Sequence, residues 1–432
     1  MKLNSKKFII KEATRKRCRV FPIDSFDRRQ FTPISMELFH FLYEAPAIDF
    51  SIFIRVDEEM VEYIKATELS KELLKHIWIA SIKDDSEVEI CVQSADHSKF
   101  TRVIDSVRDL KIRRLIEREP ALDSKTLISF VNLSSASQMV LRGGLNEEAT
   151  RKVAAAASFM VSNLMDNNYA IATLSRMIQI DPSLYDHSAA VAMFSGIMGK
   201  QAYQSKLNQK NAEILAQCGL YHDAGKACIP HSVLNKPGAF TPEEFEIMKS
   251  HAILGYKVIK KSIEEGASIE KIVAEVALQH HERFSGKGYP YGKKGRIEEN
   301  PENGIHPFAR IVAIADSYSA LLMERVYKPA LPAEEALRLL EINALEHFDP
   351  IFYNPFVASL KRSLNLYEEK KQSLVGNIYV VEKGDNVANK IIAKKQSKSH
   401  KEDDTLSKLS LDVHIHDEDC EHQAHEEKKL GA

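Results

Sequence analysis

Two kinds of hydrophobic patterning divide the chain. Before about residue 115, short apolar and β-branched runs are separated by polar stretches. Ile48–Val56 (IDFSIFIRV), His76–Ala80 (HIWIA) and Val88–Val92 (VEICV) have the length and composition of strands, and Glu68–Leu74 between the first two predicts a short helix. Residues 1–115 are therefore expected to form a small α/β unit. Residues 116–144 turn charged and then Ser-rich and end at Gly143-Gly144, which predicts a helical connector and a boundary. From Leu145 to about Lys370 the chain reads as helix almost throughout. Asn146-Glu147-Glu148-Ala149 opens one helix, and Thr241-Pro242-Glu243-Glu244 opens another with Pro at the first helical position and acids in the first turn. Leu331-Pro332-Ala333-Glu334-Glu335 repeats that pattern. With no βαβ alternation, residues 145–371 are expected to be all-α. Ile378–Asp385 predicts one strand and a turn. Residues 372–432 as a whole are polar and charged, contain His414, His416, Cys420, His422 and His425, and are expected to be mostly disordered. The fold class is thus α+β and multidomain.

Composition narrows the setting. The 432 residues are 44% apolar, enough for a sizeable core, and a net charge of −2 gives no electrostatic case for a nucleic-acid polymer as partner. The five cysteines, Cys18, Cys91, Cys218, Cys228 and Cys420, are scattered without a CxxC pair. That suits reduced thiols in the cytoplasm better than a disulfide frame. The basic N-terminus lacks an apolar h-region, and the longest apolar stretch, from Val153 to about Met165, is too short to span a bilayer. No membrane partner is expected.

The candidate chemistry lies in the helical part. His222-Asp223 and His280-His281 are adjacent couples, and His187, His251 and Asp316 stand singly around them. Imidazoles and carboxylates are the side chains that hold a catalytic divalent metal. Any one of these histidines alone would be an ordinary packed or surface residue. Together they make a metal site, because polar groups this dense are costly to bury without one. An imidazole-rich site favours a transition metal over Mg²⁺.

The blocks around these residues resemble the HD-GYP phosphodiesterases, a branch of the HD metal-dependent phosphohydrolases. The resemblance rests on His187-Ser188, His222–Lys226 (HDAGK), Met248–His251 (MKSH), His280–Arg283 (HHER), Gly286–Pro290 (GKGYP), Ala309–Asp316, Arg325–Lys328 and His347–Pro350 (HFDP), in that order. It implies an all-α HD-type domain that hydrolyses cyclic di-GMP to pGpG, GMP or both, through a hydroxide activated by two metals, iron or manganese. On that implication His187, His222, Asp223 and Asp316 hold one ion. His251, His280 and His281, with Asp223 bridging, hold the other. Lys226 would assist catalysis and touch the phosphate, Arg325 and Lys328 would grip phosphate, and Tyr289 would contact substrate or a partner domain. For Lys226, Arg325 and Lys328 the plainer alternative is a solvated surface charge, and for the loop at Tyr289 a tight turn only.

Two departures from the family pattern stand out. Some members carry a Glu one turn before the first His and bind a third metal. Here Pro182 and Ser183 occupy that region, with Asp181 the nearest acid, which favours two metals. Ser285 stands where the family usually has Asp. Two readings follow: an active phosphodiesterase regulated by its N-terminal unit, or a non-catalytic or weakly active cyclic-dinucleotide sensor or scaffold that docks a GGDEF-type partner through the GYP loop.

Overall fold

The computed structural model of the protein describes residues 20–22, 30–34, 39, 41–56, 59–66, 71, 73–74, 89–164, 167–180, 186–234, 236, 238–323, 331–342 and 344–382. The N-terminal part holds a sheet of β1 (Val20–Pro22), β2 (Phe31–Pro33), β3 (Ile52–Val56), β4 (Glu59–Ile64) and β5 (Glu89–Gln93), in the order β1-β4-β3-β5-β2. Every pairing is antiparallel, with Ile54 opposite both Val61 and Ile90. The strands expected at Ile48–Val56 and Val88–Val92 are present. The one expected at His76–Ala80 and most of the helix at Glu68–Leu74 lie outside the described residues. The side-chain period of two separates the faces. Ile52, Ile54, Ile90, Val92 and Tyr63 point into the main core, while Phe31, Phe53, Met60 and Cys91 form a small cluster on the other side.

Helices follow almost without interruption: α1 (His97–Arg118), α2 (Ser124–Gly143), α3 (Glu147–Leu164), α4 (Ala170–Ile180), α5 (His187–Tyr203), α6 (Gln209–Tyr221), α7 (His231–Leu234), α8 (Pro242–Lys249), α9 (His251–Glu264), α10 (Lys271–Gln279), α11 (Pro307–Leu322), α12 (Ala333–Ile342), α13 (Ala344–His347) and α14 (Pro350–Glu382). The signal at Thr241 is a complete capping box, with Thr241 and Glu244 satisfying each other's backbone N–H and Pro242 at the first turn. The strand expected from Ile378 is corrected, because α14 runs on to Glu382. Extending an existing helix adds a hydrogen bond per residue fixed, whereas an isolated strand has no partner to pair with.

A single apolar cluster reaches from the sheet through Phe100 and Ile104 of α1 and Leu127, Phe130 and Leu133 of α2 to Val191 and Phe194 of α5. The stretch expected as a connector is helical, and it is also packed into this core. No helix among the described residues is long and apolar enough to cross a membrane.

Candidate metal centre

The side chains singled out in the sequence converge where α5, α6, α9, α10 and α11 meet. Two groups of potential ligand atoms form there: His187, His222 and Asp316, and Asp223, His251, His280 and His281. Asp223 lies between them and presents one oxygen to each. Its Oδ2 is 3.2 Å from His222 Nε2 and 3.9 Å from His187 Nε2, while its Oδ1 is 3.4 Å from His251 Nε2 and 3.9 Å from His280 Nε2. Asp316 Oδ1 completes the first group, 3.0 Å from His187 Nε2 and 3.7 Å from His222 Nε2.

Three of the histidines are aimed by one local device. A helix end leaves its last carbonyls without an intrahelical partner. His222 follows α6, His251 follows α8 directly after Ser250, and His280 follows α10. Each turns Nδ1 back to the carbonyl three residues earlier, Gly219, Met248 and Ala277, at 2.8, 2.7 and 2.9 Å. A carbonyl only accepts, so each Nδ1 carries the proton and each Nε2 presents a lone pair to the site. His251 Nε2 and His280 Nε2 then face each other at 3.3 Å as two acceptors. His222 Nε2 and Asp223 Oδ1 are buried without a hydrogen-bond partner. Converging acceptors in excess of the donors that the described residues bring to them are what a divalent cation satisfies, so the residues present fit a metal.

Electrostatics agree. Burial works against the Asp223 carboxylate, but His222 and Lys226 hold its pKa well below the usual range. Asp316 is held low against the same burial penalty, by the bond from His187 and by the positive charge that His222 carries when no metal is bound and it is protonated. Burial, reinforced by His222 and His251, pushes His280 down to about 3, so its ring stays neutral and able to ligate. Lys226 lies in a 3₁₀ turn (Ala224–Cys228) with Nζ 2.7 Å from Asp223 Oδ2, inside the centre and not on a solvated face. Between the two, Gly225 lies so close to α9 that a Cβ would sit 1.9 Å from the His251 carbonyl oxygen. Glycine thus lets the two ligand-bearing segments touch.

Tyr289 closes one side. Its ring stacks on His281 at a centroid separation of 4.6 Å, and its N–H donates to the His281 carbonyl. Arg325 and Lys328, and the region of Asp181, Pro182 and Ser183, lie outside the described residues. Sequence reasoning missed two supporting residues. Glu282 is buried and accepts from the Tyr291 and Lys293 N–H groups, both at 2.8 Å, which pins the GYP loop to the ligand pair. Ser319 lies one turn beyond Asp316 and its Oγ is 3.0 Å from His187 Nδ1. The spacing of three from Asp316 was the available signal.

A family model described as the HD domain matches residues 172–351. Residues 172–351 are an HD domain. A cyclic di-GMP phosphodiesterase from Thermotoga maritima is 36% identical over 44% of this chain and 48% of its own length. A 3'3'-cGAMP-specific phosphodiesterase from Vibrio cholerae is 30% identical over 45% of this chain and 38% of its own. The solved structure of Bd1817, described as an HDG"Y"P protein from Bdellovibrio bacteriovorus, is 18% identical, covers 77% of this chain and 99% of that one, and gives a TM-score of 0.47. The chain spans about half the length, or less, of these two curated relatives. The match agrees with the HD part of the resemblance read from the sequence.

Proposed function

We propose that the protein hydrolyses the phosphodiester bonds of a cyclic dinucleotide, cyclic di-GMP first among candidates, at a centre of two divalent metal ions. The observation that carries this reading is Asp223, whose two oxygens face two separate groups of histidines. His187, His222 and Asp316 would hold one ion and His251, His280 and His281 the other, with Asp223 shared. A donor set this rich in imidazole favours a transition metal over Mg²⁺, and the resemblance to the HD-GYP family points to iron or manganese. Bound ions would supply an acidified water and charge neutralisation for phosphoryl oxygens.

The chain's own groups would do the rest. The Lys226 ammonium is within reach to donate to a phosphate or departing oxygen as charge develops there. Tyr289 offers a flat face fixed on His281 to orient the ligand. Arg325 and Lys328 would bind phosphate, Arg325 through its bidentate guanidinium. The Ser285 departure does not speak against activity, because the loop is held by other atoms. The N–H of Ser285 bonds Glu346 O, that of Phe284 bonds His347 O, and Glu282 holds the far side. A cytoplasmic setting and regulation by the N-terminal unit belong to the same reading.

The test is turnover of cyclic di-GMP and of 3'3'-cGAMP by the Mn²⁺-loaded protein, with products separated as pGpG and GMP. Metal-dependent release of linear product is expected. A metal-loaded protein that binds either dinucleotide and never cleaves it would instead favour the sensor that docks a GGDEF-type partner.

A further inference from the structure

His187 has a neighbour whose bonds lead away from the metal centre. Asp186, buried, is the N-cap of α5, and its Oδ1 accepts from the Ala189 N–H at 3.0 Å. Its Oδ2 is held by α2, where Ser134 Oγ and Gln138 Nε2 each donate at 3.0 Å. A cap alone needs one oxygen, so the second ties the start of α5 to another helix. Buried hydrogen bonds to an ionised carboxylate are among the stronger kinds. Helix α2 lies before residue 172, where the HD match begins.

The chain of contacts continues toward the sheet. Ser135 Oγ of α2 donates to Asp105 of α1 at 3.2 Å. The Arg108 guanidinium, buried on α1, bonds Asp105 at 3.3 Å and stands 5.1 Å over the Phe41 ring, and it attracts Asp186 as well. Phe41 belongs to the N-terminal unit. A polar path therefore runs from that unit through α1 and α2 to the residue that precedes the first histidine of the centre.

We propose that Asp186 is a positioning residue: its tether to Ser134 and Gln138 fixes where α5 begins, and so fixes His187 against Asp316 and His222. Through it, the packing of α1 and α2 sets the metal affinity of the His187 group while leaving the His251 group alone. The inference rests on the two-metal reading above. It also gives the N-terminal unit a physical route to the centre.

The test is equilibrium dialysis of Mn²⁺ with elemental analysis, on the unaltered protein and on the double variant Ser134→Ala, Gln138→Met, neither of which belongs to the two groups of potential ligands. Circular dichroism follows folding. The unaltered protein should take up two ions. The variant should keep one at unchanged affinity and bind the other at least about tenfold more weakly, the scale of losing an outer partner of a metal ligand. If the double variant does not fold, Asp186→Asn, isosteric and still able to cap, carries the same test with the same expected split. Two sites of unchanged affinity, or two weakened alike, would overturn the tether and leave the metal reading standing. An unaltered protein that takes up no Mn²⁺ would overturn both.

Discussion

Two clusters of charged side chains among the described residues are built on opposite plans. At the metal centre, acceptors from His222, His251, His280, Asp223 and Asp316 converge, and the Lys226 ammonium bonds one oxygen of Asp223. Under the GYP loop, Asp349 is buried between two guanidinium groups. Arg296 donates to both of its oxygens at 3.0 Å, and Arg310 bonds Oδ2 while reaching Glu298 at 3.1 Å. In this second cluster the charges pair with one another, and only Arg310 Nε is left buried without a partner. The cluster fastens the loop between Arg296 and Glu299 to α11 and to the start of α14. The lesson is that density of buried charge does not mark a site. A surplus of one kind of hydrogen-bonding group does, because that surplus has to be met by a ligand.

The comparison breaks first at Asp223. Replacing it with Asn keeps the shape but removes the charge shared by both groups. Metal content should drop, and turnover should fall roughly a thousandfold, about 4 kcal/mol of barrier. The helical fold should persist, since Asp223 is not part of the apolar core. Full metal occupancy in Asp223→Asn, read by elemental analysis, would mean that the carboxylate is not the bridge.

The closed cluster should fail in the opposite manner. Asp349→Ala leaves Arg310 buried beside an emptied position and should cost about 3–5 kcal/mol of stability. That is a fall in Tm of roughly 10 °C for a chain of this size. Whatever protein remains folded should still load metal. A variant that keeps its Tm and loses its metal would reverse the roles assigned to the two clusters.

Within the centre, Lys226 is the group whose role is kinetic. Lys226→Ala should lower kcat by roughly a hundredfold through lost stabilisation of developing charge, while KM and metal content change little. Unchanged kinetics would return Lys226 to being a mere counter-ion of Asp223.

How far the sequence revealed this molecule follows from what each residue type says about itself. His187, His222, Asp223, His251, His280, His281 and Asp316 were legible because few structural duties use those side chains in such number. Residues that act through geometry were not. Ser134, Gln138, Asp186, Glu282 and Ser319 are ordinary polar residues until their partners are known, and those partners lie up to 132 positions away. The strands show the same divide. β3 reads as an apolar run, whereas β4, Glu59–Ile64, is broken by Glu62 and is a strand because β1 and β3 pair with it. The serines that made α2 look like a linker are partly its buried polar face, with Ser129, Ser134 and Ser137 at 0–2% exposure.

Acid gives the finest separation of the two clusters. The Asp349 carboxyl, although burial opposes it, is held below its usual range by the bonds from Arg296, Ile351 and Arg310. Its folded pKa is depressed, so its contribution to stability is complete above the unfolded value, about 3.9. It is lost only as pH falls through the folded value below that. Metal binding has a different window, because it requires neutral imidazoles. In the metal-free protein burial opposes the charged form of His222, yet the neighbouring Asp223 carboxylate raises its pKa above the ordinary value of about 6.5. Protons therefore compete with metal at His222 at a higher pH than they would at an ordinary imidazole. Between pH 7.5 and 5, roughly the range of histidine titration, bound Mn²⁺ should be released. The stability difference between the metal-free protein and metal-free Asp349→Ala should meanwhile stay constant. That difference should shrink only below about pH 4. Thermal melts of both proteins with and without Mn²⁺, taken at several pH values, measure the two windows together. A stability difference that already shrinks at pH 6 would show that Asp349 is not held by its arginines in the way the geometry indicates.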